Sequence, residues 1–128
     1  MQIQLDSSPG NSIRSYDARG IVINDRRFTH SVVVSAQQVA RWSPRCFAEL
    51  TVTHLLTLAE LAPAIIILGT GATQRFPPAD WLVELQRRGI GVEVMGNHAA
   101  IRTYNVLRSE DRDVLLALLQ DLPADPAP

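Results

Sequence analysis

Three kinds of hydrophobic pattern follow one another along the chain. In the first third, Ser12 to Tyr16, Gly20 to Ile23 and Arg27 to Ser35 are β-branched or aromatic-containing runs. Asp-Ala-Arg-Gly and Asn24-Asp25 separate them, and such turn residues predict strands joined by two hairpin-like connections. In the third run Phe28, His30, Val32 and Val34 share one face, while Thr29, Ser31, Val33 and Ser35 share the other; this is the period of a half-buried strand. Beyond Ser43-Pro44 the period lengthens to that of a helix, with Thr51 or Thr53 as N-cap and Leu55, Leu58 and Leu61 on its apolar face. Pro63 stops it, and Ile65 to Leu68 follows as an unbroken apolar run, the mark of a strand covered on both faces. Pro77 and Pro78 open a second helix, in which Trp81, Leu82 and Leu85 point inward, Glu84, Arg87 and Arg88 point outward, and Gly89 stands just past the end. Ile90 to Met95 alternates as another strand. Asn97 is suited to N-cap a third helix reaching about Leu107, with Ile101, Tyr104 and Leu107 at core spacing. Val114 to Leu119 is ambiguous, because its Leu and Ala favour a helix while so short an apolar run also suits a buried strand.

Strand, helix, strand and helix in succession is the order of a parallel sheet with crossover helices. The predicted fold is therefore α/β, a single domain over residues 1–121 with antiparallel hairpins before a mostly parallel central sheet. Residues 122–128, three prolines among Ala and Asp, read as a disordered C-terminal tail.

Composition narrows the function classes. A chain of 128 residues with 46% hydrophobic and 20% charged residues can fill one core. Its formal net charge of −1 gives no general attraction to nucleic acid or anionic lipid. All 12 basic residues are Arg, which excludes lysine Schiff-base chemistry and the lysine-dependent phosphate loop. This Arg-only, Ala- and Pro-rich usage suits a GC-rich bacterial genome. Cys46 is the sole cysteine, so no internal disulfide or cysteine-based zinc site can form. Met1 to Asp6 has neither the basic nor the apolar region of a secretory signal, and no segment approaches the ~18 apolar residues of a membrane span. The expected location is the cytoplasm.

The most site-like segment is Gly69-Thr70-Gly71-Ala72-Thr73-Gln74-Arg75, a two-glycine loop leaving the carboxyl end of the buried strand, where open α/β sheets bind ligands. It fails both nucleotide fingerprints. The dinucleotide pattern needs a third glycine where Gln74 stands, and Pro77 and Pro78 remove N–H donors from the helix terminus that would hold a pyrophosphate. His30, His54 and His98 have no metal-ligand spacing, and Ser/His/Asp catalysis lacks a nucleophile elbow. Cys46 reads as a small hydrophobe rather than a nucleophile. Arg75, Arg102, Tyr104 and Asn105 remain as polar groups that a shared sheet edge can gather into one patch. The bland alternative is that Arg102 is a solvated helix residue and Tyr104 a core residue.

The order of these segments resembles a known family. Ile65 to Pro78, Gly91-Val92-Glu93-Val94-Met95 and Arg102-Thr103-Tyr104-Asn105-Val106-Leu107, with the preceding hairpins and Ala48-Glu49-Leu50-Thr51, are similar to the small α/β proteins that include mitochondrial complex I assembly factor 3 and its bacterial relatives. The resemblance covers nearly the whole chain. It implies a three-layer β+α/β/α arrangement and a final strand at Val114 to Leu119. Gly69, Gly71, Gln74, Arg75, Phe76, Arg102, Tyr104 and Asn105 match the family by residue. Two departures are Ile101, where many bacterial relatives carry Cys, and Gly96-Asn97, where they carry Asp-Thr. The resemblance transfers no enzymatic activity, cofactor or metal. The expected function is binding or assembly, with a protein partner at Gly69, Thr70, Gly71, Gln74, Arg75, Arg102, Tyr104 and Asn105, the protein itself being a monomer or homodimer. The rival is an enzyme or sensor that clamps a small anion between Arg75 and Arg102.

Overall fold

The protein is described by a computed structural model over residues 10–123. Three short strands, β1 (Ile13–Asp17), β2 (Gly20–Ile23) and β3 (Arg26–Phe28), form an antiparallel meander. Asn24 makes its second turn with φ +56°, a left-handed conformation that Asn tolerates. The predicted third strand does not run through. It divides at Thr29, and β4 (His30–Val34) enters a second, five-stranded sheet with β5 (Val39–Arg41), β6 (Ile65–Gly69), β7 (Gly91–Met95) and β8 (Val114–Asp121). Ser31 and Gln120 explain the division. The Ser31 hydroxyl replaces a backbone group in the β4/β8 ladder, bonding both Gln120 C=O and N–H, and the Gln120 amide donates to the Phe28 and His30 carbonyls.

The strand order is β5-β4-β8-β6-β7. Pairings β6/β7 and β6/β8 are parallel while β4/β5 and β4/β8 are antiparallel. The expected mostly parallel sheet is thus corrected to a mixed one, because β4, assigned by its pattern to the hairpins, pairs with β8. Propensity alone misreads β8. Its residues from Val114 to Gln120 are all buried, and a Leu-rich run that fills both faces is held extended by ladders on both sides.

Leu115, Ala117 and Leu119 turn to one face, with Leu55, Leu58 and Leu85 from α1 (Val52–Ala59) and α2 (Ala79–Arg87). Leu116 and Leu118 turn to the other, with Ile21 and Ile23 from the small sheet and Ile101 and Tyr104 from α3 (Asn97–Ser109). Burial of each such side chain contributes about 1.5–3 kcal/mol before entropy is counted. Thr51 is the N-cap of α1 in a capping box with His54. Leu61, expected on the apolar face, is instead exposed beyond the helix end. Of the predicted tail only Leu122 and Pro123 are described, and the Leu122 N–H bonds the Thr29 carbonyl at 2.9 Å; the rest of the tail lies outside the described residues, as does the amino-terminal segment from Met1 to Asp6.

Candidate functional site

Strands β6 and β7 end side by side, Gly69 opposite Met95, and the chain leaves them as the glycine loop and as α3. Thr70 closes the loop from inside. Its N–H donates to the Met95 carbonyl at 2.9 Å, and its hydroxyl accepts from the Arg75 N–H at 3.0 Å. The single hydroxyl proton serves the Thr73 carbonyl at 2.7 Å in preference to that of Met95 at 3.2 Å. The two glycines are required for different reasons. Gly71 sits at φ +107°, open to a side chain in space but not in conformation. At Gly69 a Cβ would lie 2.6 Å from Asn97 Oδ1 and 2.8 Å from Leu118 Cδ1.

Asn97 is the residue that the sequence reading misplaced. Gly96 occupies the N-cap position and Asn97 is the first residue of α3, 2% exposed. Its backbone N–H donates to the Gly71 carbonyl at 2.8 Å, and its Oδ1 accepts from the Gly71 N–H at 2.9 Å. Its Nδ2 donates to the Leu119 carbonyl at 2.9 Å and to the Tyr16 hydroxyl at 3.0 Å. These partners dictate the amide orientation, since a flipped amide would oppose N–H to N–H and oxygen to the Leu119 oxygen. One side chain therefore ties the loop, α3, β8 and β1 together. An Asn following Gly at the end of one strand, next to Gly-Thr-Gly at the end of another, is the only signal of this role in sequence, and it needs the strand pairing to be read.

The other predicted site residues part company. The Gln74 amide donates to the Val94 carbonyl at 2.9 Å. The Arg75 guanidinium lies 5.4 Å from the centroid of the Phe47 ring, which packs on the α1/α2 face. Arg102 is exposed on α3, which packs on the opposite face, and no contact joins it to Arg75. The Asn105 amide donates to the Ile13 carbonyl at 3.3 Å. Tyr104 is fully buried with its hydroxyl 3.5 Å from the Asn11 carbonyl, and burial pushes its pKa up to about 12. It is a core residue holding the small sheet to α3.

The histidines hold structure. His30 Nδ1 donates to the Ser31 carbonyl at 2.8 Å, His54 Nδ1 accepts from the Thr51 N–H at 2.9 Å, and His98 packs edge-on to Tyr16 at 4.7 Å. Cys46, expected to be buried, is exposed. Among the described residues no three His, Cys, Asp or Glu side chains group as metal ligands. No described helix is long and apolar enough to cross a membrane.

Comparison with known proteins agrees with this fold. The model of a family described as protein of unknown function (DUF498/DUF598) matches residues 13–119. NADH dehydrogenase (ubiquinone) 1 alpha subcomplex assembly factor 3 from Danio rerio is 34% identical over 119 residues, 91% of this chain and 68% of that protein. The 13 kDa major membrane protein of Francisella tularensis is 28% identical over 103 residues, 79% of this chain and 84% of its own length. A crystal structure of a Bordetella parapertussis protein superposes with a TM-score of 0.83 at 35% identity, covering 91% of this chain and all of that one.

Proposed function

From the premise that the chain belongs to the DUF498/DUF598 family of proteins of unknown function, we propose that it is a non-enzymatic, assembly-factor-like protein-binding domain. Its binding surface is the loop from Gly69 to Phe76. One observation carries the reading. The N–H groups of Thr70, Gly71 and Arg75 are bonded to the Met95 carbonyl, Asn97 Oδ1 and the Thr70 hydroxyl, so the segment is a braced turn with none of these donors left for a phosphate. What it offers outward is the Arg75 guanidinium and Phe76, 65% exposed, the residue types that anchor protein interfaces. The zebrafish relative's name as an assembly factor supports the same class of function. A clamp of Arg75 and Arg102 on a small anion is disfavoured, since the two lie on opposite faces of the sheet. The proposal places the protein in the cytoplasm of a bacterium, as a monomer or homodimer without cofactor.

The test is affinity purification of the native protein, with mass spectrometry of bound proteins and of released metabolites, for the wild type and for Arg75→Ala combined with Arg102→Ala. The double variant is expected to lose the protein partner while its folding free energy changes by about 0.5–1 kcal/mol, the scale of one exposed cation–π contact and a surface substitution. A metabolite released from the wild type and lost from the variant would overturn the reading in favour of an anion site. Unchanged partner recovery would place the binding surface elsewhere.

A further inference from the structure

Strand β7 is one edge of the five-stranded sheet, and its hydrogen bonds show which groups face outward. The Gly91 N–H bonds the Ala64 carbonyl, and the Met95 carbonyl accepts from the Thr70 N–H. Both groups of a strand residue point the same way and successive residues alternate, so Gly91, Glu93 and Met95 face β6 while Val92 and Val94 face the free edge. On that edge the Val94 carbonyl is covered by the Gln74 amide. The Val92 N–H and carbonyl and the Val94 N–H have no partner among the described residues. Glu93, in the middle of the strand, is exposed and makes no ion pair among the described residues.

We propose that the free edge of β7 is a strand-addition site for an extended peptide segment with a basic residue opposite Glu93, and that the Gln74 side chain is a displaceable plug on it. This rests on the protein-binding reading above and names the partner's chemistry. A row of unpaired backbone groups is a template for an added strand. The plug costs little to move, because one neutral hydrogen bond from an exposed side chain is replaced by the incoming strand's own. Glu93 selects the occupant. A second copy added antiparallel about the strand centre would set Glu93 against Glu93, and like charges directly opposite are unfavourable, whereas Lys or Arg there forms a cross-strand pair. Flanking Val or Ile would extend the apolar face that Val92 and Val94 share with α2.

The probes are two capped synthetic peptides, Thr-Val-Arg-Val-Thr and Thr-Val-Glu-Val-Thr, added at up to about 1 mM to the nitrogen-15-labelled protein. Amide exchange is read by NMR. The Arg peptide is expected to slow exchange at Val92 and Val94 and to leave Gly91, Glu93 and Met95, already bonded to β6, unchanged. It should bind about three- to tenfold more tightly than the Glu peptide, and Glu93→Arg should reverse that order. Gln74→Ala should tighten binding of both peptides several-fold, and Val92→Pro, which removes an outward N–H at a position where edge strands accept proline, should abolish the protection at Val94. No change at Val92 and Val94, equal protection of alternate residues, or protection that arises with protein concentration alone would overturn the proposal. A native partner still recovered by Val92→Pro but lost from the Arg75/Arg102 variant would defeat this edge site and leave the protein-binding reading standing.

Discussion

Replacing Asn97 by Ala tests whether the glycine loop is held by its neighbour or by its own turn. The substitution removes three side-chain hydrogen bonds of 2.9–3.0 Å, to Gly71, Leu119 and Tyr16. Each such bond contributes about 0.5–1.5 kcal/mol net. The Tyr16 hydroxyl is only half-buried and can turn to water, so the sum falls to about 2–3 kcal/mol, mostly from the Leu119 carbonyl and the Gly71 N–H. For a domain of this size that lowers the melting temperature by about 10 °C. The neighbouring glycine supplies a second reading. Gly69→Ala places a Cβ 2.6 Å from Asn97 Oδ1 and 2.8 Å from Leu118 Cδ1, an overpacking that costs about 1–3 kcal/mol. In the Asn97→Ala background the first clash is gone and only the end of a leucine must yield, so the Gly69→Ala penalty should shrink by about 1 kcal/mol, the size of coupling expected for touching residues. Urea unfolding of the four proteins gives the cycle, and amide exchange at Gly71 reports the loop directly. An Asn97→Ala cost below about 1 kcal/mol, with the Gly71 amide still protected and the two substitutions additive, would refute the argument that Asn97 braces the loop.

Two further outcomes follow from groups already described. Tyr104 holds its proton to about pH 12 when folded, against about 10 in an unfolded chain. The unfolded state therefore loses the proton first, and the stability owed to the neutral phenol, fully present below pH 10, is lost as the pH rises towards 12; Tyr104→Phe should flatten that alkaline limb in chemical denaturation, and an unchanged limb would mean that the phenol is not held in the core. Calorimetry should detect no binding of ATP, NAD or NADP, since the Thr70 and Gly71 N–H groups are occupied and Pro77 and Pro78 give no donors before α2; micromolar affinity would contradict that account.

What is determined locally was legible in the chain. Ile65 to Leu68 reads as a doubly covered strand because no polar position interrupts it, and β6 is interior and buried. Thr51 caps α1, Pro78 precedes α2 and Asn24 turns the meander, since caps, proline φ and left-handed turns depend on residues a few positions apart. The resemblance to the assembly-factor family also held, and it identified β8 as a strand where propensity favoured a helix. Tertiary structure decided the rest. That β8 lies between an antiparallel and a parallel neighbour depends on which strands pack their apolar faces and pair their backbones in the folded sheet, and no periodicity encodes pairing partners. Arg27 to Ser35 has one continuous alternation, yet Ser31 and Gln120, 89 residues apart, split it between two sheets. Asn97 has the local chemistry of an N-cap and the position of a buried brace. Its amide can satisfy three groups only because folding brings the ends of β6 and β7, Tyr16 near the end of β1 and Leu119 near the end of β8 within hydrogen-bond reach of one side chain, and such convergence exists only once the chain is folded.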